Sequence, residues 1–354
     1  MRIGIPKETK VLEGRIGLVP EACSDLVAQG HQVFVQKGGG LLSGYTDEQY
    51  RAVGVQIIKE AAELFDTAEM IVKVKEPYGP ELDLLKKDHL LFCYLHLAAN
   101  AELTKSLQKT GLLAVAFETV VEDGALPLLA PMSDIAGRLA GQIGSNLLYQ
   151  HNLGRGILLG GVPAAERGHV VVLGGGVAGG GATHVVASLG AEVTVFDKNR
   201  TKLEQMRAIG NNVTALYPYA SAVQKAVAEA DLLIGAVLIP GAKATHVVSA
   251  EMVRTMKPNS VIIDISVDQG GCVETTRPTT YADPTFMWEQ VLHFGVTNMP
   301  GAVPRTASQS LSAALVPFVS QLASGDWEQD ERLQSGINVR AGEIVNPSVA
   351  QALA

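Results

Sequence analysis

The sequence predicts an α/β protein made of two doubly wound domains, each with a parallel sheet that carries helices on both faces. Three observations lead to this prediction. Short runs of β-branched and other apolar residues alternate with helical segments along most of the chain, as strand–helix–strand units do. A glycine-rich turn directly follows one of these runs near the middle of the chain. The chain has 354 residues, which is more than one typical hydrophobic core accommodates.

The N-terminal part of the chain is predicted to form the sheet of the first domain. Its apolar runs are short and are separated by polar or helical segments, which is typical of strands in an α/β unit. A helix is predicted to begin at Pro20, and Thr46 is placed to cap a second helix. The predicted strands are residues 2–5, 31–36, 70–75, 90–96 and 112–118.

Two long helices are predicted to connect the domains. Apolar residues recur at helical spacing over residues 133–151, and a return helix is expected over residues 307–323. The last residues, 341–354, are too few to fold alone and are expected to pack on the first domain. The predicted organisation is a discontinuous first domain of residues 1–131 and 304–354 and a second domain of residues 132–303.

The glycine-rich turn indicates a dinucleotide-binding site. Gly174, Gly176 and Gly179 have the spacing G-x-G-x-x-G and directly follow an apolar strand. The first glycine permits the tight turn, the second leaves room for a pyrophosphate, and the third lets the next helix pack close to the strand. Asp197 ends the next strand about 20 residues later, where a carboxylate accepts the ribose hydroxyls and repels a 2′-phosphate. NAD is therefore expected rather than NADP.

Six parallel strands are predicted around this turn, enough for a complete Rossmann sheet. Each is a short apolar run with the length of a buried strand. They lie near residues 170–173, 193–196, 213–216, 232–237, 261–267 and 291–297.

The composition excludes several classes of function. The net charge is −8 and no run of Lys and Arg dominates any segment, so nucleic acid is not expected as a partner. No apolar run approaches the roughly 18–20 residues of a membrane span, and no signal-peptide pattern is expected at the N-terminus. The three cysteines are scattered, which argues against a disulfide framework or a zinc site and indicates a reducing cytoplasm.

Polar residues at the ends of predicted strands mark the candidate active site, because ligands collect at the carboxyl ends of parallel strands. Lys75, His96 and Glu118 end strands of the first domain, and Arg15 lies in the long loop after the first strand. We expect these four side chains to converge on one edge of the sheet. Residues 264–268 end a strand of the second domain with an aspartate at each end, where a nicotinamide would lie. Either aspartate could instead cap or pair locally.

The residues of the first domain also have structural interpretations. His96 could be a satisfied structural histidine, and Arg15 could be a solvated loop residue. Lys73 and Lys75 could form a solvated edge-strand face, because lysine protects sheet edges. The shared edge, rather than any one side chain, favours the functional interpretation.

Short motifs are spread along most of the chain: Arg2-Ile-Gly-Ile-Pro-Lys-Glu, Arg15-Ile-Gly-Leu-Val-Pro, Val72-Lys-Val-Lys-Glu-Pro, Tyr94-Leu-His-Leu-Ala, Pro131-Met-Ser, Val237-Leu-Ile-Pro-Gly-Ala-Lys, Asp264-Ile-Ser-Val-Asp-Gln-Gly-Gly and Asn298-Met-Pro-Gly-Ala-Val-Pro. Together they resemble alanine dehydrogenase and its transhydrogenase relatives, from residue 1 to about residue 325. The resemblance implies two Rossmann-like domains joined by long helices, usually assembled as a homohexamer. It also implies reversible, NAD-dependent oxidative deamination of L-alanine to pyruvate and ammonium.

The resemblance implies roles for the residues at the two edges. Arg15 and Lys75 would hold the substrate carboxylate and carbonyl oxygen, a task that suits a forked cation and an ammonium group. His96 and Asp268 would be the catalytic acid/base groups, and it stays open which of them moves which proton. Glu118 is a further candidate for substrate binding in the same pocket.

The resemblance also assigns residues to the cofactor. Asp197 and Lys202 would lie at the adenosine ribose, and the nicotinamide half would contact Ser133, Leu238, Ile239, Asn298 and Met299. The remaining cofactor-binding residues are Gly174, Gly176, Val177, Ala178, Gly179, Ile265, Val267 and Asp268.

Two positions depart from the family pattern. Pro218-Tyr219 stands where relatives often carry serines near the adenine, so that contact is not expected here. Gln321 and Gly325 stand where some members have a Glu and His pair linked to a divalent ion. No metal site is therefore predicted.

Other functions remain open at this point. A subunit of a proton-translocating transhydrogenase would share the fold but would have no small-molecule pocket. A catalytically silent NAD-sensing protein would keep the glycine turn and lose the polar edge residues, none of which is lost here. Saccharopine- or lysine-type dehydrogenases share the reaction class, and the sequence does not identify the side chains that surround the substrate Cβ.

Overall fold

The computed structural model describes residues 1–237 and 246–353, and the chain divides into two compact units. Unit 1 comprises Met1–Met132 and Gly301–Ala354, and unit 2 comprises Ser133–Pro300. Each unit contains its own sheet. In the part of the chain that the structure describes, no helix combines the length and the hydropathy needed to span a membrane.

The strands and helices alternate along most of the chain, as the sequence predicts. The strands are β1 (Arg2–Ile5), β2 (Gln32–Gln36), β3 (Gln56–Ile58), β4 (Met70–Val72), β5 (Leu90–Cys93), β6 (Leu113–Ala116), β7 (His169–Leu173), β8 (Glu192–Phe196), β9 (Val213–Leu216), β10 (Leu232–Gly235), β11 (Val261–Asp264), β12 (Thr285–Trp288), β13 (Val291–Phe294), β14 (Ile337–Arg340) and β15 (Glu343–Ile344). The helices are α1 (Pro20–Ala28), α2 (Asp47–Ala52), α3 (Ala61–Thr67), α4 (Glu81–Leu84), α5 (Ala101–Thr110), α6 (Ala130–Leu147), α7 (Val177–Ser188), α8 (Arg200–Arg207), α9 (Ala220–Glu229), α10 (Ala250–Arg254), α11 (Pro304–Ser324), α12 (Glu331–Gly336) and α13 (Pro347–Leu353).

The sheet of unit 1 has the strand order β15-β14-β6-β5-β4-β1-β2-β3. Strands β1 to β6 run parallel, so the carboxyl ends of the neighbours β6, β5, β4 and β1 lie side by side. The predicted parallel sheet is present, and it is extended at one edge by antiparallel strands, because β14 pairs antiparallel with β6 and β15 pairs antiparallel with β14. The last part of the chain is thus built into the sheet of unit 1, which makes this unit discontinuous in sequence.

The sheet of unit 2 has the order β12-β13-β11-β10-β7-β8-β9. The six strands predicted around the glycine turn are present and parallel. The sequence analysis missed β12, an antiparallel strand at the edge beyond β13. Strands β10 and β11 are fully buried and β7 is buried except at His169, as expected for a sheet with both faces covered.

Two long helices match the predicted ones. Helix α6 contains the unit boundary, and α11 begins at Pro304, directly after the return to unit 1. Within unit 2, α6 approaches α7 so closely that a Cβ added to Gly137 would lie 1.9 Å from the carbonyl oxygen of Ala178. A glycine is therefore needed at this crossing. The predicted Thr46 cap is also present, as a capping box with Gln49.

Candidate active site

The four polar residues predicted in unit 1 all lie beyond the carboxyl ends of neighbouring strands. Lys75 follows β4, His96 follows β5 and Glu118 follows β6, while Arg15 lies in the loop between β1 and α1. All three strands are shorter than predicted, because the chain leaves the ladder before the polar residue is reached. The polar side chains therefore belong to the loops at the sheet edge, where they are able to face a ligand.

Arg15 is buried, with 3% of its surface exposed, so the interpretation as a solvated loop residue is wrong. Its guanidinium forms a bidentate pair with Glu13, with Nε donating to Oε1 over 2.6 Å and Nη2 donating to Oε2 over 2.5 Å. Nη1 lies 3.3 Å from the sulfur of Met132. Burial on its own would lower the pKa of Arg15, but the bonds and charge of Glu13 raise it, so the cation is permanent.

Helix α11 fixes the loop that carries Arg15. The backbone N–H of Ile16 donates to the hydroxyl of Ser308 over 2.9 Å, and that of Val19 donates to Ser312 over 3.0 Å. Both serines are fully buried. A buried N–H without a partner would cost about 1–3 kcal/mol, so these two bonds stabilise one course of the loop.

Lys75 is partly buried and lies within electrostatic range of Arg15. Burial lowers the pKa of Lys75, and the charge of Arg15 lowers it further, while Glu13 opposes the shift. Lys75 does not face solvent on a sheet edge, because β4 lies between β5 and β1. Two adjacent cations in a buried setting favour an anionic ligand.

His96 lies at a strained backbone position, with φ of 51°, and 45% of its side chain is exposed. The carboxylate of Glu118 accepts the N–H of Leu95 at 3.2 Å and that of His96 at 2.6 Å, and it lies 4.0 Å from Nδ1 of His96. The imidazole also stacks on Tyr94, with 6.0 Å between ring centroids. The contacts of Glu118 thus hold the turn that presents the imidazole.

A buried charge network, which was not predicted from the sequence, surrounds Lys73, two residues before Lys75. Lys73 is 1% exposed, and its ammonium lies 2.8 Å from Glu81 and 3.7 Å from Glu8. The interpretation of Lys73 as a solvated edge residue is wrong, since β4 is an interior strand. A lysine alternating with buried valines in such a strand was the available signal for a buried partner.

The glycine turn of unit 2 has the geometry of a dinucleotide site. Gly174 has φ of 99°, and a Cβ on Gly179 would lie 1.8 Å from the carbonyl oxygen of Gly174. Gly176 is the N-cap of α7, and among the described residues only Nζ of Lys202, at 4.0 Å, comes within 4 Å of a Cβ added there. The turn is therefore open above Gly176, beside a cation and a helix N-terminus, and fits a pyrophosphate.

The carboxylate of Asp197 lies directly after β8 and accepts two backbone N–H groups. Oδ2 accepts the N–H of Gly175 and Oδ1 that of Asn199, both at 2.7 Å. A carboxylate has about four lone-pair sites, so these bonds leave capacity for the ribose hydroxyls. Asp197 therefore both stabilises the turn and fits the ribose role.

The other predicted cofactor residues of unit 2 lie at the carboxyl ends of its strands. Ile265, Val267 and Asp268 follow β11, and Asn298 and Met299 follow β13, while Ser133 lies in the first turns of α6. The segment of Leu238 and Ile239 lies outside the described residues.

Asp264, by contrast, serves the local structure. It is 1% exposed and accepts the backbone N–H groups of Ser266, Cys272 and Val273 at 2.8–3.1 Å. Burial raises the pKa of Asp264, and these bonds counteract the shift. The alternative that this aspartate pairs locally is confirmed.

A glycine turn shaped for a dinucleotide in one unit, and Arg15, Lys75 and His96 at the carboxyl edge of the sheet in the other, fit an α/β nucleotide-dependent oxidoreductase. The chain belongs to the alanine dehydrogenase/PNT family. The model of the N-terminal domain of that family matches residues 4–136, and the model of the C-terminal domain matches residues 140–347. The resemblance found in the sequence motifs is therefore confirmed.

Relatives agree over the full length. The alanine dehydrogenase of Methanococcus maripaludis is 45% identical over 359 aligned residues, covering 99% of this chain and 96% of the relative. A solved L-alanine dehydrogenase is 48% identical with a TM-score of 0.96, covering 100% of this chain and 99% of the other. A solved transhydrogenase from Sinorhizobium meliloti is 26% identical with a TM-score of 0.85, covering 98% of this chain and 100% of the other.

Proposed function

We propose that this protein is an L-alanine dehydrogenase, which converts L-alanine, NAD and water reversibly into pyruvate, ammonium, NADH and a proton. The observation that carries the proposal is the pair of cations at the carboxyl edge of unit 1, the buried Arg15 and the partly buried Lys75, in a chain of this family. A 2-oxo acid or amino acid offers a carboxylate and a neighbouring polar group to such a pair. A transhydrogenase subunit that binds only nucleotides has no need of it.

Arg15 binds the substrate carboxylate in this proposal, and Lys75 binds the carbonyl oxygen of pyruvate. Glu13 engages the Nε–Nη2 edge of the guanidinium and thereby fixes the orientation of Arg15. The lowered pKa of Lys75 makes its proton easier to share with an oxygen that becomes negative when the carbonyl is attacked.

His96 and Asp268 transfer protons at the amino group and at the carbinolamine oxygen. When bound, NAD would supply the acceptor for the hydride on Cα, whose loss turns L-alanine into an iminium. Water then adds to the resulting iminium carbon, and loss of ammonium gives pyruvate. Histidine is the usual residue for proton transfer near neutral pH, and the exposed side chain of His96 is accessible to a substrate. Glu118 positions His96 through its backbone contacts.

NAD is the proposed cofactor. The N–H groups at the start of α7 bind the pyrophosphate, with Gly174, Gly176 and Gly179 giving the turn its shape. Asp197 and Lys202 bind the adenosine ribose region, and the charge of Asp197 selects NAD over NADP. Backbone and side-chain contacts complete the cofactor site at Val177, Ala178, Ser133, Leu238, Ile239, Ile265, Val267, Asp268, Asn298 and Met299.

The roles of the domains follow from these assignments. Residues 1–131 and 304–354 form the substrate domain, and residues 132–303 form the NAD-binding domain. We further propose a homohexamer, as the family implies, and a cytoplasmic location, which suits the three buried free thiols.

The test is the formation of NADH by the purified protein with NAD and L-alanine at mildly alkaline pH. NADP, glycine, L-serine and D-alanine serve as alternatives, and His96→Ala is the active-site variant. We expect a rate confined mainly to L-alanine with NAD and lost in the variant. If NAD binds by calorimetry but no amino acid gives NADH, the protein is not an amino-acid dehydrogenase, and hydride exchange between nucleotides becomes the next assay.

A further inference from the structure

We propose that Glu8 is the positioning residue for Lys75, and that Lys73 acts as the buried counter-cation that holds Glu8 in place. The inference rests on the proposed function for the role of Lys75, and it extends that function to a residue outside the substrate pocket. Glu8 lies on the loop after β1, whereas Lys75 lies on the loop after β4.

Glu8 contacts the backbone that carries Lys75. Its Oε1 accepts the N–H of Val74 at 2.6 Å, and its Oε2 accepts the N–H of Lys75 itself at 3.3 Å. Strand β4 has ended at Val72, so these N–H groups lie beyond the strand. Glu8 supplies their acceptor and thereby fixes the direction in which Lys75 leaves the sheet.

The position of Glu8 is fixed in turn by a buried cation. Glu8 is 7% exposed, and Lys73 lies 3.7 Å from its Oε2. Burial raises the pKa of Glu8, while Lys73 and the N–H of Val74 oppose the rise. Burial would lower the pKa of Lys73, but Glu8 and Glu81 raise it. The network is therefore a cation between two acids, and removal of either acid leaves Lys73 with one carboxylate partner.

Glu81 offers a matched control, because it too is a buried acid that contacts Lys73, and its backbone contact is with Tyr78 rather than with Val74 and Lys75. Its carboxylate is buried, lies 2.8 Å from Nζ of Lys73 and accepts a backbone N–H, that of Tyr78, at 3.3 Å. Glu8→Gln and Glu81→Gln thus remove the same charge from the same buried lysine. Only Glu8→Gln disturbs the two amides that orient Lys75.

The experiment compares the two variants in the direction of pyruvate reduction. For Glu8→Gln we expect KM for pyruvate to rise by roughly 10-fold or more, since a misplacement of about 1 Å can cost up to ~100-fold, with a smaller change in kcat. For Glu81→Gln we expect KM to stay within about twofold of the wild type. The Kd of NADH, measured by calorimetry, should be unchanged in both variants.

A second readout does not depend on the proposed function. The rate of reductive methylation of Lys75 is followed against pH by mass spectrometry, and its midpoint should move in Glu8→Gln but not in Glu81→Gln. If the wild type shows no turnover of pyruvate, the proposed function fails, and this readout still decides the positioning role.

Equal losses in both variants would overturn the proposal, because the network would then be structural only. An unchanged KM and an unchanged methylation midpoint in Glu8→Gln would also overturn it. If Glu8→Gln does not fold, Glu8→Gln combined with Lys73→Met and Glu81→Gln removes the buried cation together with both of its anions. That triple variant should fold and should still show the raised KM, and a wild-type KM there would refute the role of Glu8.

Discussion

Asp197 is the residue whose replacement tests the cofactor assignment most directly. In Asp197→Asn the side chain keeps its size and one oxygen acceptor but loses its charge. One of its two backbone bonds, to Gly175 or to Asn199, is retained. The glycine turn should therefore stay folded while the preference between the two nicotinamide cofactors changes.

The magnitude follows from two contributions. Hydrogen bonds to a charged acceptor contribute about 1 kcal/mol more than those to a neutral one, so NAD should bind roughly 5- to 30-fold more weakly to the variant. At about 5 Å and an effective dielectric constant of about 20, the carboxylate repels each unit charge of a 2′-phosphate by about 3 kcal/mol. Removing that repulsion strengthens NADP binding, so the ratio of kcat/KM for NADP to that for NAD should rise by at least about 100-fold.

The assay measures kcat/KM for both cofactors at saturating L-alanine, at low and at high ionic strength. Glu192→Gln is the control, because Glu192 is an exposed acid at the opposite end of the same strand. The gain of Asp197→Asn should shrink at high salt, which screens the repulsion in the wild type. A ratio of NADP to NAD that matches the control within about twofold would refute the placement of Asp197 at the ribose.

Three further predictions concern the turn, the imidazole and a buried histidine. Gly179→Ala should lower the free energy of unfolding in urea by about 1–3 kcal/mol or more, because its Cβ would lie 1.8 Å from a backbone oxygen. The same variant should bind NAD more weakly, and a stability equal to that of the wild type would contradict the packing argument. Glu118→Gln should lower kcat by roughly 10-fold, less than the roughly 10²–10⁴-fold expected for His96→Ala; an equal loss would make Glu118 a catalytic group. Burial lowers the pKa of His293 to about 4, so the unfolded chain binds the proton at a higher pH than the folded chain does. The free energy of unfolding should therefore be unaffected by this histidine above its ordinary pKa of 6.5 and should fall as the pH drops toward 4. At a pH of about 4 this loss of unfolding free energy is about 3 kcal/mol, and it should be absent when His293→Gln is unfolded in guanidinium. If the stability of the variant depended on pH as that of the wild type does, His293 would not be the cause.

The parts of the fold that were predictable from sequence are those with a local signal. The parallel strands are short β-branched runs, and the spacing of the glycines in the turn is itself a local signal. The strands that were missed, β3, β12, β14 and β15, have two to four residues and lie at or next to a sheet edge. Strand β15 has two residues and exists because β14 lies beside it, and β14 pairs with β6 from the other end of the chain. No periodicity of two residues is visible over such lengths.

The candidate site divides in the same way. The positions of Arg15, Lys75 and His96 at one edge follow from the parallel direction of the strands, which the alternation of strands and helices predicts. The partners of these residues cannot be predicted from the strands, because the sequence around a charged loop residue is the same whether its side chain is solvated or buried. Glu13 stands two residues before Arg15, yet its bidentate bond depends on how the loop packs against α11.

The roles of acids at strand ends are also hard to predict, because an acid that supports a loop and an acid that binds a ligand look the same in sequence. Glu8 and Glu118 accept backbone N–H groups just beyond β4 and β5. Asp197 and Asp264 do the same beyond β7 and β11.

The cause is common to all four. The N–H groups that follow the last residue of a strand have no ladder partner, and at the buried end of a sheet water does not replace it. A carboxylate offers about four acceptor sites, so one acid satisfies two or three amides and holds a loop in one course. An acid at a strand end is thus as much a support for the neighbouring catalytic group as a candidate for chemistry. In this chain the two uses differ by their contacts: Asp264 is fully engaged by three amides, whereas Asp197 accepts two and retains acceptor capacity at the mouth of the glycine turn.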